Sequence, residues 1–275
     1  MKRYLFFCFS VLLFYPGPLS ASRIAMVARI DVTPGEDWIG VKVTVTNKGD
    51  EDALVVSPHL KLGQEEIMLS YVPRLGPHTA HHWVHRFELR TLGFKAGGSY
   101  PLFLKTHYHD VNFYPFSMPE ILLLHYRVKP SDPPLKGTFD VGKVNHRGKA
   151  EVMLTNPTQS DLSGTLDLFL PSELISLTPK TEFQLPKGKN IRIPFHLENA
   201  WALPGSSYRV YAVAQLVQSN IQYTLVIPKI IEVAGYRSTG DTSLRIAGAL
   251  IFLILLFAAT LYFEVRKASK GDEPE

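Results

Sequence analysis

Two stretches of this 275-residue chain follow one rhythm 109 residues apart. In VKVTVTNKGDEDA, Val41, Val43 and Val45 alternate with other residues and the run ends at Thr46-Asn47. In KAEVMLTNPTQSDLSG, Ala150, Val152 and Leu154 do the same and the run ends at Thr155-Asn156. A period of two places each trio on one face of an extended strand. The match continues. Trp83, His85, Phe87 and Leu89 alternate as Ile191, Ile193, Phe195 and Leu197 do, and GGSYPLFLKTHYHDVN parallels GSSYRVYAVAQLVQSN, with Tyr100 and Tyr208, and Asn112 and Asn220, each 108 residues apart. Internal similarity at so constant an offset means a duplicated unit, which limits the architecture to two copies of one fold.

The runs are short and separated by Gly, Pro, Asn and Asp clusters, and no segment between the two ends keeps a helical period. That spacing is the pattern of an antiparallel sandwich. Two domains are expected at 23–128 and 135–234. Between them lies a linker at 129–134, whose KPSDPP sequence keeps it extended.

The ends are apolar. Residues 1–22 read as a secretory signal peptide, with Lys2 and Arg3 before a short apolar run and small residues at Ser20, Ala21 and Ser22. Ile246–Phe263 carries no charge and is just long enough, as a helix, to cross a hydrocarbon core. A juxtamembrane stretch at 235–244, a single transmembrane α-helix at 245–264 and a cytoplasmic tail at 265–275 follow. Arg266, Lys267 and Lys270 on the far side favour a cytoplasmic C-terminus and an exported remainder, periplasmic or extracellular.

The only cysteine, Cys8, falls in the signal segment, so the rest of the chain has neither disulfide nor thiolate chemistry and relies on its cores. No Asn-X-Ser/Thr acceptor is present, because Asn156 is followed by Pro157. The net charge of +4 is not gathered into any long basic run, which argues against nucleic acid as a partner.

Tyr100 and Tyr208 each follow a Gly-Ser turn and open an alternating strand. This resembles the tyrosine corner of immunoglobulin-like sandwiches. With the strand pattern, each unit resembles the disulfide-free immunoglobulin-like modules, of the cell-adhesion-related and α-galactosidase-associated kind, found on prokaryotic envelope proteins. The resemblance implies an all-β chain of two tandem immunoglobulin-like β-sandwiches that act as binding, spacer or scaffold units. It transfers no catalytic residue.

Histidines crowd into HTAHHWVHRF and HYHD. In the first, alternation sends His85 toward the core with Trp83 and Phe87, turns His82 outward, and leaves His78 and His81 in the preceding turn. Neighbours on opposite faces cannot share an ion without a bulge. In the second, Tyr108 continues the inward series, so His107 and His109 face outward, two apart. Such a pair can chelate zinc or copper, with Asp110 as a third ligand or with a residue of a neighbouring strand. The alternative is plain exposed imidazoles, and the second repeat has Gln215 and Val217 in their place.

The hairpin VNFYPFSMPE is richer in aromatics than its counterpart SNIQYTLVIP, which nominates Phe113, Tyr114 and Phe116 for partner binding, against a packing role. The acidic turn at Asp50, Glu51 and Asp52 reads as hairpin polarity rather than a calcium loop. There is no Gly-X-Ser-X-Gly elbow, His-Glu-X-X-His helix or phosphate-binding glycine loop. No enzyme activity and no cofactor are expected. The expected function is a non-catalytic single-pass envelope protein that binds protein or polysaccharide or serves as a scaffold. An accessory subunit of an export or envelope-assembly complex is the alternative, and a metal-dependent hydrolase a further one resting on the histidines alone.

Overall fold

The computed structural model describes residues 23–94, 97–234, 248, 250–258 and 260. The chain is mostly β and divides at Pro133/Pro134 into two compact units, with Gln215–Thr224 grouped with the first.

The first unit contains β1 (Met26–Pro34), β2 (Trp38–Asn47), β3 (Ala53–Leu62), β4 (Glu65–Met68), β5 (Val72–Leu75), β6 (Ala80–Glu88), β7 (Gly97–His109) and β8 (Pro115–Tyr126). One sheet has the order β1-β2-β6. In the other, β3 lies between β7 and β4, β5 also pairs with β3, and β8 pairs with β7. The inward residues of the two sheets share one core: Val41, Val43, Val45, Trp83 and Phe87 from the first, Leu60, Leu62, Leu102 and Leu104 from the second. Within this unit Ile221 and Gln222 pair in parallel with Gly97 and Gly98. The Thr224 amide and hydroxyl donate to the Ser99 hydroxyl and carbonyl at 2.9 and 2.7 Å.

The second unit contains β9 (Lys136–Val141), β10 (Arg147–Thr155), β11 (Leu162–Phe169), β12 (Leu174–Ser176), β13 (Thr181–Leu185), β14 (Asn190–Asn199) and, apart from Gln215–Thr224, β15 (Ser207–Gln218) and β16 (Ile221–Glu232). Its sheets run β12-β14-β10-β9 and β13-β11-β15-β16. Ala150, Val152, Leu154, Phe195 and Leu197 are buried, as the alternation requires. On β15, Val210, Ala212 and Ala214 are buried, but so are Tyr211 and Val213, so that strand is covered on both faces.

The repeat reappears in the hydrogen bonding. Asn47 and Asn156, both fully buried, stand at the last residue of β2 and just past the last residue of β10. The Asn47 Nδ2 donates to the carbonyls of Glu51 and Leu75 at 2.7 and 3.2 Å, and its Oδ1 accepts from the Gly49 amide at 2.9 Å. Asn156 does the same with Ser160 and Leu185 at 2.8 and 3.0 Å and with the Thr158 amide at 2.9 Å. Their own amides donate to Thr79 and Lys189. The copies differ beside the pin. At Gly49 a Cβ would lie 2.0 Å from the Arg23 carbonyl, whereas the corresponding Thr158 uses its hydroxyl to bond Asn156 Oδ1.

Two expectations fare differently at the ends. The signal segment 1–22 lies outside the described residues, as do 245–247, 249, 259 and 261–264 of the expected span. Among the described residues no helix is long and apolar enough to cross a membrane, although 250–258 are helical.

Replacing Asn47 by Ala strands two carbonyls and an amide in a buried position, which should cost about 2–4 kcal/mol of stability. Asn156→Ala should cost the second unit as much, while Asn145→Ala, on the surface, should change stability by less than about 0.5 kcal/mol. Denaturant unfolding of the full chain measures all three.

Candidate functional site

Histidines and aromatics converge on the outer face and tip of the β7–β8 hairpin in the first unit. Antiparallel pairing sets Ser57 of β3 opposite His107 and His59 opposite Lys105. Between Leu54 and Ser57 the β3 register shifts at a bulge, where Val55 has φ 51°, a strained conformation for a β-branched residue. The bulge sets Leu54 opposite His109.

This registry adds a residue that sequence spacing could not find. His59, from a different strand, lies diagonally across from His107 with ring centroids 6.5 Å apart. Its Nε2 is 3.0 Å from Glu66 Oε1 on β4, and Lys61 Nζ holds the other Glu66 oxygen at 3.1 Å. The Glu66 carboxyl is held below its ordinary value, first by the bond from Lys61, which outweighs the opposing desolvation, and further by the charges of Lys61, His59 and Lys105. His107 is pushed below the ordinary imidazole value, mainly by burial and then by the positive neighbours Lys105, His59 and His109. The face is therefore less open than an outward strand position implied.

The structure does not bring His107, His109 and Asp110 together as a ligand set. Among the described residues no group of three or more His, Cys, Asp or Glu is arranged to hold a metal ion. Asp110 serves the turn instead, its Oδ1 accepting from the amides of Asn112 and Tyr114 at 2.9 and 2.8 Å. His109 Nδ1 is buried without a hydrogen-bond partner, and its ring faces Phe113 at 6.4 Å.

At the tip, Phe113 is 67% exposed and sits at φ 61°, and Val111 beside it is also exposed. Tyr114 and Phe116 are half-buried. The Phe116 ring packs between Tyr108, stacked at 5.5 Å, and Tyr114 at 5.2 Å. Phe116 is therefore a buttress and Phe113 the presented ring. In the second repeat the equivalent tip is a two-residue turn, Ser219-Asn220, with φ 49° and 60°, the geometry of a tight type I′ hairpin.

The other cluster is dispersed. His78 lies in the turn, with φ 57°, but His81 belongs to β6, paired with Val45, because the ladder runs on to the Asn47–Thr79 bond. His81 and His82 are exposed. His85 packs edge-on against Phe87 at 4.6 Å, with Nε2 3.7 Å from Glu65 Oε1, too far for a hydrogen bond. Trp83 donates from Nε1 to the Ser70 carbonyl at 2.7 Å. In the acidic turn, Asp50 accepts from the Arg23 amide and Asp52 pairs with Arg74 at 2.8 Å.

No family model and no curated protein matches the chain. Among solved structures it is similar to red sea bream transglutaminase (14% identity, 73% of this chain and 31% of that one, TM-score 0.26). It is also similar to Escherichia coli alpha-2-macroglobulin activated by porcine elastase (9%, 78% and 22%, 0.32) and to the YadV chaperone (13%, 75% and 99%, 0.31). The chain spans about a third or less of the first two. At these TM-scores none of the three bears on function.

A depressed His107 favours the neutral imidazole in the folded state, so the unfolded chain binds more protons in the window where the two differ. The contribution is complete above the unfolded value of about 6.5 and is lost as pH falls through the lower folded value. Stability should therefore decline below pH about 6.5, and less steeply in His107→Gln. NMR titration of the His107 ring should give a midpoint below that of a free imidazole.

Proposed function

We propose that the chain is a non-catalytic, membrane-anchored envelope protein whose first unit presents the β7–β8 tip to a protein or polysaccharide partner. The observation that carries this reading is Phe113. A large ring held in the left-handed region costs backbone energy that Gly or Asn would avoid, and here the ring is also in water. One ring contact, with His109 at 6.4 Å, covers only part of Phe113, whereas an aromatic platform on a bonded turn suits recognition by stacking or burial. The turn is held by Asp110 Oδ1 and by bonds between the Asp110 and Tyr114 backbones.

Anchoring is part of the same reading, through 245–264, with the two β units outside the cytoplasmic membrane and the C-terminus inside. Leu250–Phe257 supports it. These eight consecutive large apolar residues are each at least half exposed, on every face of the helix, which is tolerable in lipid and costly in water.

Phe113→Gly separates recognition from folding, because it removes the ring while relieving the backbone. The variant should be as stable as the parent or more so by about 1 kcal/mol. Photo-crosslinking in intact cells from position 111 should lose its captured partner by on the order of tenfold or more in Phe113→Gly and in Tyr114→Ala. Undiminished capture in both variants would rule out the tip as the binding surface.

A further inference from the structure

The end of the second unit from which the chain departs toward residues 246–263 is unusually well built. The last residues of β16 are tied to two loops. The Gly205 amide donates to the Val233 carbonyl at 3.1 Å and the Val233 amide to Ser206 at 2.9 Å. The Ala234 amide donates to Val144 at 2.8 Å, and the Val144 amide to Glu232 at 3.2 Å. The 199–206 loop is also held from within. Asn199 bonds Ala202 through both ends of its side chain, at 3.1 and 2.6 Å, and the amides of Ala200 and Trp201 donate to the Glu173 carbonyl. The Leu203 amide donates to the Tyr208 hydroxyl at 3.3 Å, and the Ser206 hydroxyl bonds the Leu203 carbonyl.

This fixed loop nevertheless leaves Trp201 41% and Leu203 38% exposed, and Ile175, one rung inward opposite Glu198, is exposed as well. Large apolar side chains held out by a rigid loop mark a contact surface. The place of the surface narrows the choice of what covers it. Ala234 is the last pinned residue, and Ile246 begins the apolar run twelve residues later. Twelve residues span at most about 40 Å in any conformation, so a bilayer holding 246–263 would be present at high effective concentration.

Resting on the anchored reading above, we infer that the 142–147 and 199–206 loops seat the second unit on the phospholipid surface, with Trp201 and Leu203 in the interfacial layer. Tryptophan suits that layer because its ring is apolar and its N–H is not. The charges at this end are balanced: Lys143 lies 3.8 Å from Glu232, and Arg147 lies 3.6 Å from Glu198. The docking is therefore apolar, indifferent to anionic lipid and to salt.

The test uses the full chain in phosphatidylcholine vesicles, with and without bromine on the upper acyl carbons, and reads tryptophan emission. Trp38, Trp83 and Trp201 are the only tryptophans. Brominated lipid should quench about a third of the emission, the share of one in three, unchanged in 0.5 M sodium chloride (about a 4 Å screening length) and abolished in Trp201→Phe. Leu203→Glu, which keeps the reporter, should reduce the quenching severalfold. If the chain co-floats with the vesicles but its emission is not quenched, the seating is wrong and the anchor stands. If it does not co-float, both fail. Quenching that persists in Trp201→Phe, or that salt removes, overturns the inference by pointing to another surface or to charge.

Discussion

Each unit depends on one buried side-chain amide. Asn47 and Asn156 stand at the ends of their core strands, where a strand's backbone groups lose their ladder partners. Each joins the turn that follows its strand to the end of a strand in the other sheet, at Leu75 of β5 in one copy and Leu185 of β13 in the other. A primary amide can donate twice while accepting, so it can close both loops at once. In a chain with no cysteine beyond residue 8, such a pin does part of the positional work that a disulfide does elsewhere. Once it is set, β6 starts beside Thr79, and the register of Trp83 against Val43 and Phe87 against Ile39 follows.

With the scaffold common to both copies, the differences between them locate what is special to each. The second copy turns its long hairpin with Ser219-Asn220, residues suited to positive φ. The first spends five residues on the same turn, holds them with Asp110 and places Phe113 where a small residue would be easier. The imidazoles follow the same division, for His59, His107 and His109 all lie on the first copy. Conversely, the exposed Trp201 and Leu203 belong to the loop of the second copy that bonds the end of β16. The proposed partner recognition and the proposed membrane seating thus fall on different units.

Much of this was legible because strand alternation is local. Val41, Val43, Val45, Phe87, Val152, Leu154 and Phe195 are buried as their spacing demanded, and the Tyr208 hydroxyl accepts from the Leu203 amide upstream, as its position after a Gly-Ser turn suggested. The misreadings share one cause. His81 was expected in a turn, but the length of β6 is decided by where β2 ends on the opposite side of the ladder. Asp110 resembled a ligand by adjacency, but its carboxylate is engaged by amides two and four residues on. Phe116, nominated for recognition by its place in the hairpin, is half-buried with the rings of Tyr108 and Tyr114 against it, a contact that its spacing does not show. Tyr211 and Val213, on the supposed outer face of β15, are buried because another part of the fold covers that face.

The sequence alone determined that the chain is β-rich and duplicated, since periodicity and offset are properties of one dimension, and that Asn47 and Asn156 hold matching places in the two copies. Only the tertiary structure decided which groups meet: the His59 ring with His107 and Glu66, the Asn47 amide with the Leu75 carbonyl, the Val144 backbone with that of Val233. Their separations along the chain are set by strand pairing and a bulge in β3, and neither register nor bulge is written in the spacing of the residues they bring together.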